Sequence, residues 1–335
     1  MGKENNQSNP QSSPSSSDKN LTQYEILSLA IVGLETLIGI VVNVYIMMVN
    51  LVDLMVRRKL GSGDIILTCL GLFRFDFQLL VLTYYLLSFI ASDENNSQST
   101  VNKLQYVWLF FSDINMWLAA LLCTFYCVRI VTVQNRVFLF LKTHFDMMVP
   151  WFLLVSAGVS ALLSSPFAYT GLNSVVNMSK FDKNQNTPSF ILGGSDFATF
   201  STLSAVGTTI PFVLFCVSTG MVVGSLLMHA RKVKGQERTG FREPSLKAHY
   251  RAVKMMGAFF LFFSLYMVTF NLYASGTLSS GIEGSVCTMA IGAYPSLHSV
   301  LLVIGNHKLK QPFIKILQKG KCYQAEVTQT ETLDT

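Results

Sequence analysis

Residues 294–311 read YPSLHSVLLVIGNHKLKQ, an apolar run that carries Pro295 and His298 in its interior. The run ends at Gly305 and Asn306, and a basic stretch follows at once. A proline and an ionisable side chain are costly at membrane depth, and such residues mark function. Basic residues directly after an apolar run are typical of a cytoplasmic exit. The stretch therefore predicts a membrane helix, its orientation, and a candidate switch residue in His298.

The composition of the whole chain is that of a membrane protein. Of its 335 residues, 50% are hydrophobic and only 13% are charged, which is too apolar for an ordinary soluble domain. The excess lies in long apolar runs, each able to cross a hydrocarbon core of ~30 Å at ~1.5 Å per residue. We expect an all-α protein, a bundle of seven transmembrane helices. The runs span residues 25–49, 64–90, 105–132, 147–171, 199–228, 252–275 and 284–305.

The distribution of basic residues predicts the orientation of the bundle. With the N-terminus outside, most of the 25 lysines and arginines fall on the inner side. The outer side holds only Lys3, Lys19, Lys103, Lys180 and Lys183. The positive-inside rule therefore favours an outer N-terminus and an inner C-terminus. The net charge of +6 then reflects topology and contact with anionic inner-leaflet lipid, and does not indicate nucleic-acid binding.

The potential glycosylation sites agree with this orientation. Four Asn-x-Ser/Thr sequons fall on the predicted outer side, although each motif is weak by itself. They are Asn6, Asn20, Asn95 and Asn177.

The chain divides into four predicted parts. Residues 1–23 are polar and are expected to form a disordered extracellular tail. The receptor domain spans residues 24–306, an amphipathic inner-leaflet helix residues 307–320, and a cytoplasmic tail residues 321–335. Cys322, just after the amphipathic stretch, is either a palmitoylation site or a free thiol.

The residues that carry enzyme chemistry do not form a recognisable set. The five histidines and six cysteines are dispersed, with no Ser/His/Asp arrangement, metal-ligand spacing or phosphate-binding loop. We therefore expect a protein that is not an enzyme and that holds neither a metal nor a cofactor.

Arg74 is the clearest buried charge, since it lies deep in the second run. A lone arginine at the centre of a membrane helix costs ~2.5–3.5 kcal/mol on insertion scales, so it should face the bundle interior and have partners. Asn43 is the nearest candidate, with Glu35 and Asp76 as alternatives. The resulting polar network is either a hub that changes during activation or static interhelical packing.

Aromatic and hydroxyl side chains in the outer half predict a pocket for a small, mostly apolar ligand. One face of the sixth run carries four of them at helical spacing, namely Tyr266, Thr269, Phe270 and Tyr273. Asp113 lies one turn above Trp117 on the third run. It either pairs with a cationic ligand or lies solvated near the outer mouth. Ordinary packing is the alternative reading of the aromatic stripe.

Short motifs along nearly all of the membrane domain resemble those of bitter taste receptors, the type 2 taste receptor family of G-protein-coupled receptors. Their order and spacing make the resemblance specific. The third run has Trp117–Leu118–Ala119 and then Phe125–Tyr126, with Arg129 where lysine is usual. The other matching positions are Glu35, Gly39, Asn43, Asn50, Asp53, Lys59–Leu60, Asp64, Leu67–Thr68, Leu70, Arg74, Pro211–Phe212, Ser225–Leu226, His229, Gly240, Arg242, Pro244–Ser245, Ala248–His249, Tyr266, Pro295–Ser296, His298–Ser299, Gly305–Asn306 and Lys308–Leu309–Lys310.

The resemblance implies a receptor for small bitter-tasting compounds in the plasma membrane. It places Trp117, Tyr266 and Thr288 in the ligand pocket, together with Leu121, one turn below Trp117. Leu121 is apolar where many relatives are polar, and Thr288 replaces residues that are often charged. Both changes suggest that agonists of other members fail here.

The resemblance also implies coupling to a heterotrimeric G protein of the gustducin or Gi type at the inner ends of the helices. The residues expected there are Arg129, His229, Lys254 and Lys308, with His298 as a switch; for any single lysine, plain membrane anchoring is the alternative. Two other classes stay open. One is a pheromone-type chemoreceptor, and the other, less favoured by the absence of internal repeats, is a transporter or channel.

Overall fold

The computed structural model describes residues 23–90, 94–131, 136–178, 194–236, 243–275, 277, 281–316 and 318. Within these residues the regular structure is helical, and each of seven helices contains a span long and apolar enough to cross a membrane. The all-α fold with seven spans is therefore confirmed. The helices are α1 (Gln23–Arg57), α2 (Ser62–Ile90), α3 (Glu94–Ile130), α4 (Arg136–Met178), α5 (Gly194–Gln236), α6 (Glu243–Ala274) and α7 (Gly281–Gly305).

Most helices extend beyond the apolar runs that predicted them. α4 begins eleven residues before the predicted run 147–171, and its apolar span is Phe138–Ser165. Backbone hydrogen bonds continue a helix past the hydrocarbon core wherever the ends can be polar, so hydropathy gives the span and not the helix end. Pro211 and Pro295 lie inside α5 and α7 without ending them.

The helices close into a ring around α3. α1 packs on α2 and α7, α6 packs on α5 and α7, and α3 packs on α2, α4 and α5. Of the apolar span of α3, 67% is buried, whereas only 22% of the α4 span is. α3 is therefore the central helix and α4 lies at the periphery. We call the end where α1, α3, α5 and α7 begin the N-terminal end of the bundle, and the opposite end the C-terminal end.

A glycine permits the close approach of α1 to α2 and α7. A Cβ atom on Gly39 would lie 1.7 Å from Nε2 of Gln78 and 2.4 Å from Oγ of Ser296. These distances are far below van der Waals contact, so only glycine fits while those side chains keep their places. Gly39 thereby positions three helices around one buried polar cluster.

A short helical segment follows α7 at the C-terminal end. Residues 307–316 are helical, and Asn306 caps them: its Oδ1 accepts from the Lys308 backbone N–H at 3.0 Å. An asparagine at this position satisfies a backbone donor that a helix start leaves free. The cap explains why the chain turns sharply at Asn306 and begins a new helix.

Candidate ligand and switch sites

An aromatic column runs through the bundle between α3, α6 and α7. The Tyr266 ring stacks on Phe270 at 5.7 Å between centroids and on Tyr294 of α7 at 4.6 Å. Towards the N-terminal end, Trp108 of α3 stacks on Phe270 at 5.4 Å. Towards the C-terminal end, Tyr294 stacks on His298 at 5.6 Å. The column therefore connects the predicted pocket residues with the predicted switch residue.

The hydroxyl group of Tyr266 fastens α6 to α3. Its Oη lies 2.5 Å from Oγ of Ser112, and both side chains are buried. A buried hydroxyl without a partner costs about 1–3 kcal/mol, so this bond offsets the desolvation of both groups. The contact shows that the face of α3 that carries Ser112 is turned towards the aromatic column.

Two further predicted pocket residues use their hydroxyls within their own helices. Thr269 Oγ1 donates to the Leu265 carbonyl at 2.6 Å, and Thr288 Oγ1 donates to the Gly284 carbonyl at 2.8 Å. Both side chains are partly buried, and each hydroxyl oxygen still has acceptor capacity. Tyr273, also partly buried, packs against the hydrophobic core.

The predicted α3 residues face in another direction. Three of them recur at intervals of four residues and so lie on one face of α3: Asp113, Trp117 and Leu121. Around the axis of α3, Trp117 is about 140° away from Ser112. Leu121 is buried and Trp117 partly buried. A Cβ on Gly207 of α5 would lie 2.9 Å from Oδ2 of Asp113, so this face is turned towards α5. The resemblance places both Trp117 and Tyr266 in the ligand pocket, and in the structure the hydrogen bond from Tyr266 to α3 is made with Ser112.

Arg74 is fully buried and binds two residues of α7. Its Nη1 donates to Ser299 Oγ at 2.9 Å, and its Nη2 contacts Nδ1 of His298. Because arginine can only donate, Nδ1 of His298 must accept, and the neutral ring carries its proton on Nε2. The guanidinium also lies 5.7 Å from the ring centroid of Tyr294.

The predicted pair of Asn43 and Arg74 is joined through an intermediary. Ser299 Oγ donates to Asn43 Oδ1 at 2.8 Å while it accepts from Arg74. Among the described residues, no carboxylate lies within ion-pair distance of Arg74, so neither Glu35 nor Asp76 neutralises it there. Neutral hydrogen-bond acceptors and an aromatic ring therefore solvate the cation.

Gln78 completes this network, and it was not among the residues predicted from the sequence. Its Oε1 accepts from Asn43 Nδ2 at 3.3 Å, and its Nε2 donates to Ser296 Oγ at 2.9 Å. Ser296 Oγ in turn donates to the Glu35 carbonyl at 2.6 Å. The available signal was its spacing, since Gln78 follows Arg74 by four residues and so lies on the same face of α2. The network ties α1, α2 and α7 together.

At the C-terminal end, Arg129 pairs with α4. Its Nη2 lies 2.8 and 2.7 Å from the two carboxylate oxygens of Asp146, and the side chains are 53% and 58% exposed. The guanidinium also lies 5.5 Å from the ring centroid of Phe125. Such an exposed pair stabilises the fold by at most about 1 kcal/mol and is easily exchanged for another partner.

Lys308 holds the segment after α7 against the bundle through two ion pairs. Its Nζ lies 2.8 Å from a carboxylate oxygen of Asp53 in α1 and 2.8 Å from one of Asp64 in α2. Burial alone would lower the pKa of Lys308, but the bonds to the two carboxylates outweigh it and raise the pKa. Tyr45 adds a hydrogen bond of 2.5 Å from Oη to the Leu309 carbonyl.

The remaining coupling and glycosylation predictions are only partly covered by the described residues. Lys254 is exposed in α6, whereas the side chain of His229 lies outside the description. Asn95 and Asn177 lie in the first turn of α3 and the last turn of α4, and nothing is described of their side chains. Asn6, Asn20 and Cys322 lie outside the described residues.

These features define a multi-pass membrane protein with a seven-helix bundle, a buried polar hub and an aromatic column. A sequence model described as "Taste receptor protein (TAS2R)" matches residues 21–321. Taste receptor type 2 member 8 from Homo sapiens and its Pan troglodytes counterpart are each 32% identical over 291 residues, 84% of this chain and 92% of the relative. Taste receptor type 2 member 3 from Gorilla gorilla gorilla is 28% identical over 311 residues, 89% of this chain and 94% of the relative.

The chain belongs to the type 2 taste receptor family, the bitter taste receptors among the G-protein-coupled receptors. The resemblance derived from the sequence motifs is confirmed, and so is a multi-pass location in the plasma membrane. Membership favours a receptor over an enzyme and over the transporter or channel alternative.

Proposed function

We propose that this receptor binds small bitter-tasting compounds in the N-terminal half of the bundle, which faces the cell exterior, and activates a heterotrimeric G protein of the gustducin or Gi type at the C-terminal end. The aromatic column carries the proposal, because it gives a physical connection between the two halves. Trp108 and Phe270 lie at one end of it, Tyr266 in the middle and His298 at the other end.

The ligand acts by differential affinity for two helix arrangements. A molecule that inserts beside Tyr266 changes the stacking of Tyr266 on Tyr294, which lies between α6 and α7. Tyr294 stacks on His298 and lies under the guanidinium of Arg74, so its displacement alters the hub that holds α1, α2 and α7. The hub is thus a switch in this proposal, in preference to static packing.

Two charged groups at the C-terminal end, Arg129 and Lys308, differ in how firmly their ion pairs hold them. Arg129 is exposed, and within the described part of the chain its ion pair is with the exposed Asp146, so a G-protein carboxylate can replace that partner at little cost. Lys308 instead holds the inner segment in place through Asp53 and Asp64. We assign Arg129 to contact with the G protein and Lys308 to positioning of the segment 307–316 on the inner leaflet, next to anionic lipid.

A calcium assay in cells that express the chain with a suitable G protein tests the proposal. Some compounds of a broad bitter panel should evoke responses, and Trp117→Ala and Tyr266→Ala should raise their EC50. Silence across the panel despite confirmed surface expression contradicts the function. Wild-type potency in both variants, at normal surface levels, contradicts the pocket assignment alone. Epitope labelling of the N-terminus on intact cells tests the orientation.

A further inference from the structure

Asp113, Trp117 and Ser160, on α3 and α4, carry four buried polar atoms that lack a hydrogen-bond partner among the described residues. They are the two carboxylate oxygens of Asp113, Nε1 of Trp117 and Oγ of Ser160. Asp113 and Ser160 are each 0% exposed, so water does not solvate them. The structure places Asp113 in the interior, which argues against the reading of a solvated residue at the outer mouth. A buried carboxylate that is neither paired nor hydrogen-bonded is among the most costly groups a protein can hold.

These groups lie at matching levels where α3, α4 and α5 meet. A Cβ on Gly207 of α5 would approach Oδ2 of Asp113 to 2.9 Å and Cδ1 of Leu163 in α4 to 3.1 Å, so the three residues adjoin. Trp117 lies one turn from Asp113 towards the C-terminal end. Ser160 lies one turn from Leu163 in the same direction, because α3 and α4 run antiparallel.

Within the described part of the chain, no lysine or arginine forms an ion pair with the carboxylate of Asp113. The buried arginine, Arg74, donates to Ser299 and His298 on the opposite side of the bundle. The other described ion pairs, those of Arg57, Arg129 and Lys308, engage Asp53, Asp64 and Asp146 instead. An intramembrane carboxylate that faces the bundle interior without a partner is by default a site for a substrate or an ion.

We propose that Asp113 binds the protonated amine of an agonist in a subsite between α3, α4 and α5. The ammonium group donates to the carboxylate, the Trp117 indole N–H donates to an acceptor on the ligand, and Ser160 supplies a further hydroxyl. Gly207 leaves the room that the carboxylate needs. This inference rests on the proposed function and names the chemical class of one set of its ligands.

An organic ammonium fits this subsite better than a metal ion. Among the described residues, no group of three His, Cys, Asp or Glu side chains could hold a metal. A single carboxylate supplies one charge, which matches one ammonium. Leu163 lies beside Gly207 and Asp113, and Leu121 is one turn below Trp117, so apolar side chains are available for the hydrocarbon body of an amine.

Ligand-induced thermal stabilisation of the purified receptor in lipid nanodiscs tests the inference without any need for signalling. The probes are N-benzylpiperidine, protonated at pH 7, and its neutral amide N-benzoylpiperidine. Wild-type receptor should bind the amine about 10- to 100-fold more tightly than the amide, the range of a charge-assisted hydrogen bond. Asp113→Asn should abolish this preference, because a neutral amide side chain offers no charge to the ammonium.

A pair of glycine variants controls for folding. Gly207→Ala places a methyl group against the carboxylate and should lower amine affinity, whereas Gly220→Ala on the same helix, with nothing within 4 Å of its Cβ, should not. Equal binding of amine and amide by wild type, or an unchanged preference in Asp113→Asn, overturns the inference. A receptor that prefers the amine but evokes no calcium response to any bitter compound contradicts the proposed function instead.

Discussion

The rings of Tyr266 in α6 and Tyr294 in α7 stack with their centroids 4.6 Å apart, and both side chains are buried. Tyr294 also lies beneath Arg74 and stacks on His298, so one ring contacts the predicted pocket and the polar hub together. Sequence motifs and spacing indicated Tyr266 and His298 but not Tyr294, which lies between them.

Replacement of Tyr294 separates ring stacking from hydrogen bonding. Tyr294→Phe keeps the rings and loses the hydroxyl, which contacts His298 Nδ1 at 3.5 Å and the Arg74 guanidinium, so the maximal calcium response should stay nearer to wild type than in Tyr294→Leu. Tyr294→Leu removes both stacking contacts, each worth about 0.5–1.5 kcal/mol, and should lower the maximal response several-fold. Equal responses in the two variants, at matched surface levels, would show that the column does not transmit the signal.

Gly39 should tolerate no side chain. Gly39→Ala forces a Cβ into Gln78 and Ser296, and overpacking of this kind costs about 1–3 kcal/mol. Gly33→Ala is the matched control on α1, since a Cβ there meets nothing within 4 Å. Thermal unfolding of the purified variants should show a clear loss for Gly39→Ala and none for Gly33→Ala. A similar midpoint for both would mean that the α1–α2 approach is readily adjusted.

Arg74 should not be replaceable by lysine. Its two terminal nitrogens reach Ser299 and His298 separately, and a single ammonium lacks this planar fork. Arg74→Lys should therefore lose the hydrogen bond to one of the two, at a cost of about 1.5–3 kcal/mol, and reduce surface expression or response, as we also expect for Arg74→Ala. Full activity of Arg74→Lys would show that only the positive charge matters.

Changes to the two members of the Arg129–Asp146 pair should act in opposite directions. Asp146→Ala frees Arg129 for the G protein and should increase agonist-evoked coupling, whereas Arg129→Ala should decrease it. The pair is exposed, so stability should change by less than about 1 kcal/mol in either variant. G-protein activation in membranes measures the effect. A decrease in both variants would indicate that the pair only holds α3 against α4.

Because Lys308 is charged only below its pKa, the stability of the segment after α7 should decrease at alkaline pH. Its raised pKa means that the pairs with Asp53 and Asp64 stabilise the fold below the ordinary lysine value of ~10.4. That stabilisation is lost as the pH rises through the raised pKa.

Lys308→Gln tests this dependence. It should cost about 1 kcal/mol at pH 7, because the groups are partly exposed, and its deficit relative to wild type should shrink as the pH rises through the raised pKa of Lys308. Thermal unfolding across pH 7–11 gives the comparison. A deficit that persists at high pH would assign the effect to lost packing and not to charge. Lys310→Gln, a neighbouring lysine without these carboxylates, is the control.

Hydropathy predicted the number of spans and their approximate positions because a membrane core demands about twenty apolar residues wherever a helix crosses it. It failed at helix ends: α4 runs from Arg136 to Met178, far beyond the predicted 147–171. Outside the core, hydrogen bonds and not apolarity maintain a helix, so the end of an apolar run carries no information about the end of the helix.

The sequence predicted which residues belong to the candidate site, but not which of them contact one another. Tyr266, Trp117 and Asp113 all lie in the bundle, but Tyr266 meets α3 through Ser112, while Asp113 faces Gly207. Side-chain spacing within one helix can be read from the chain, since the helical period is constant. The rotation of one helix against the next depends on the packing of all seven.

The sequence by itself determined the class of protein, the seven spans, the family, and the requirement that Arg74 face the interior. These follow from local properties, namely apolarity over about twenty residues and motifs in a set order. Only the tertiary structure decided that Ser299 joins Arg74 to Asn43, that Lys308 joins α1 to α2, and that Asp113 meets no protein partner among the described residues. Each of these depends on the rotation and depth of separate helices, which the close packing of the whole bundle sets.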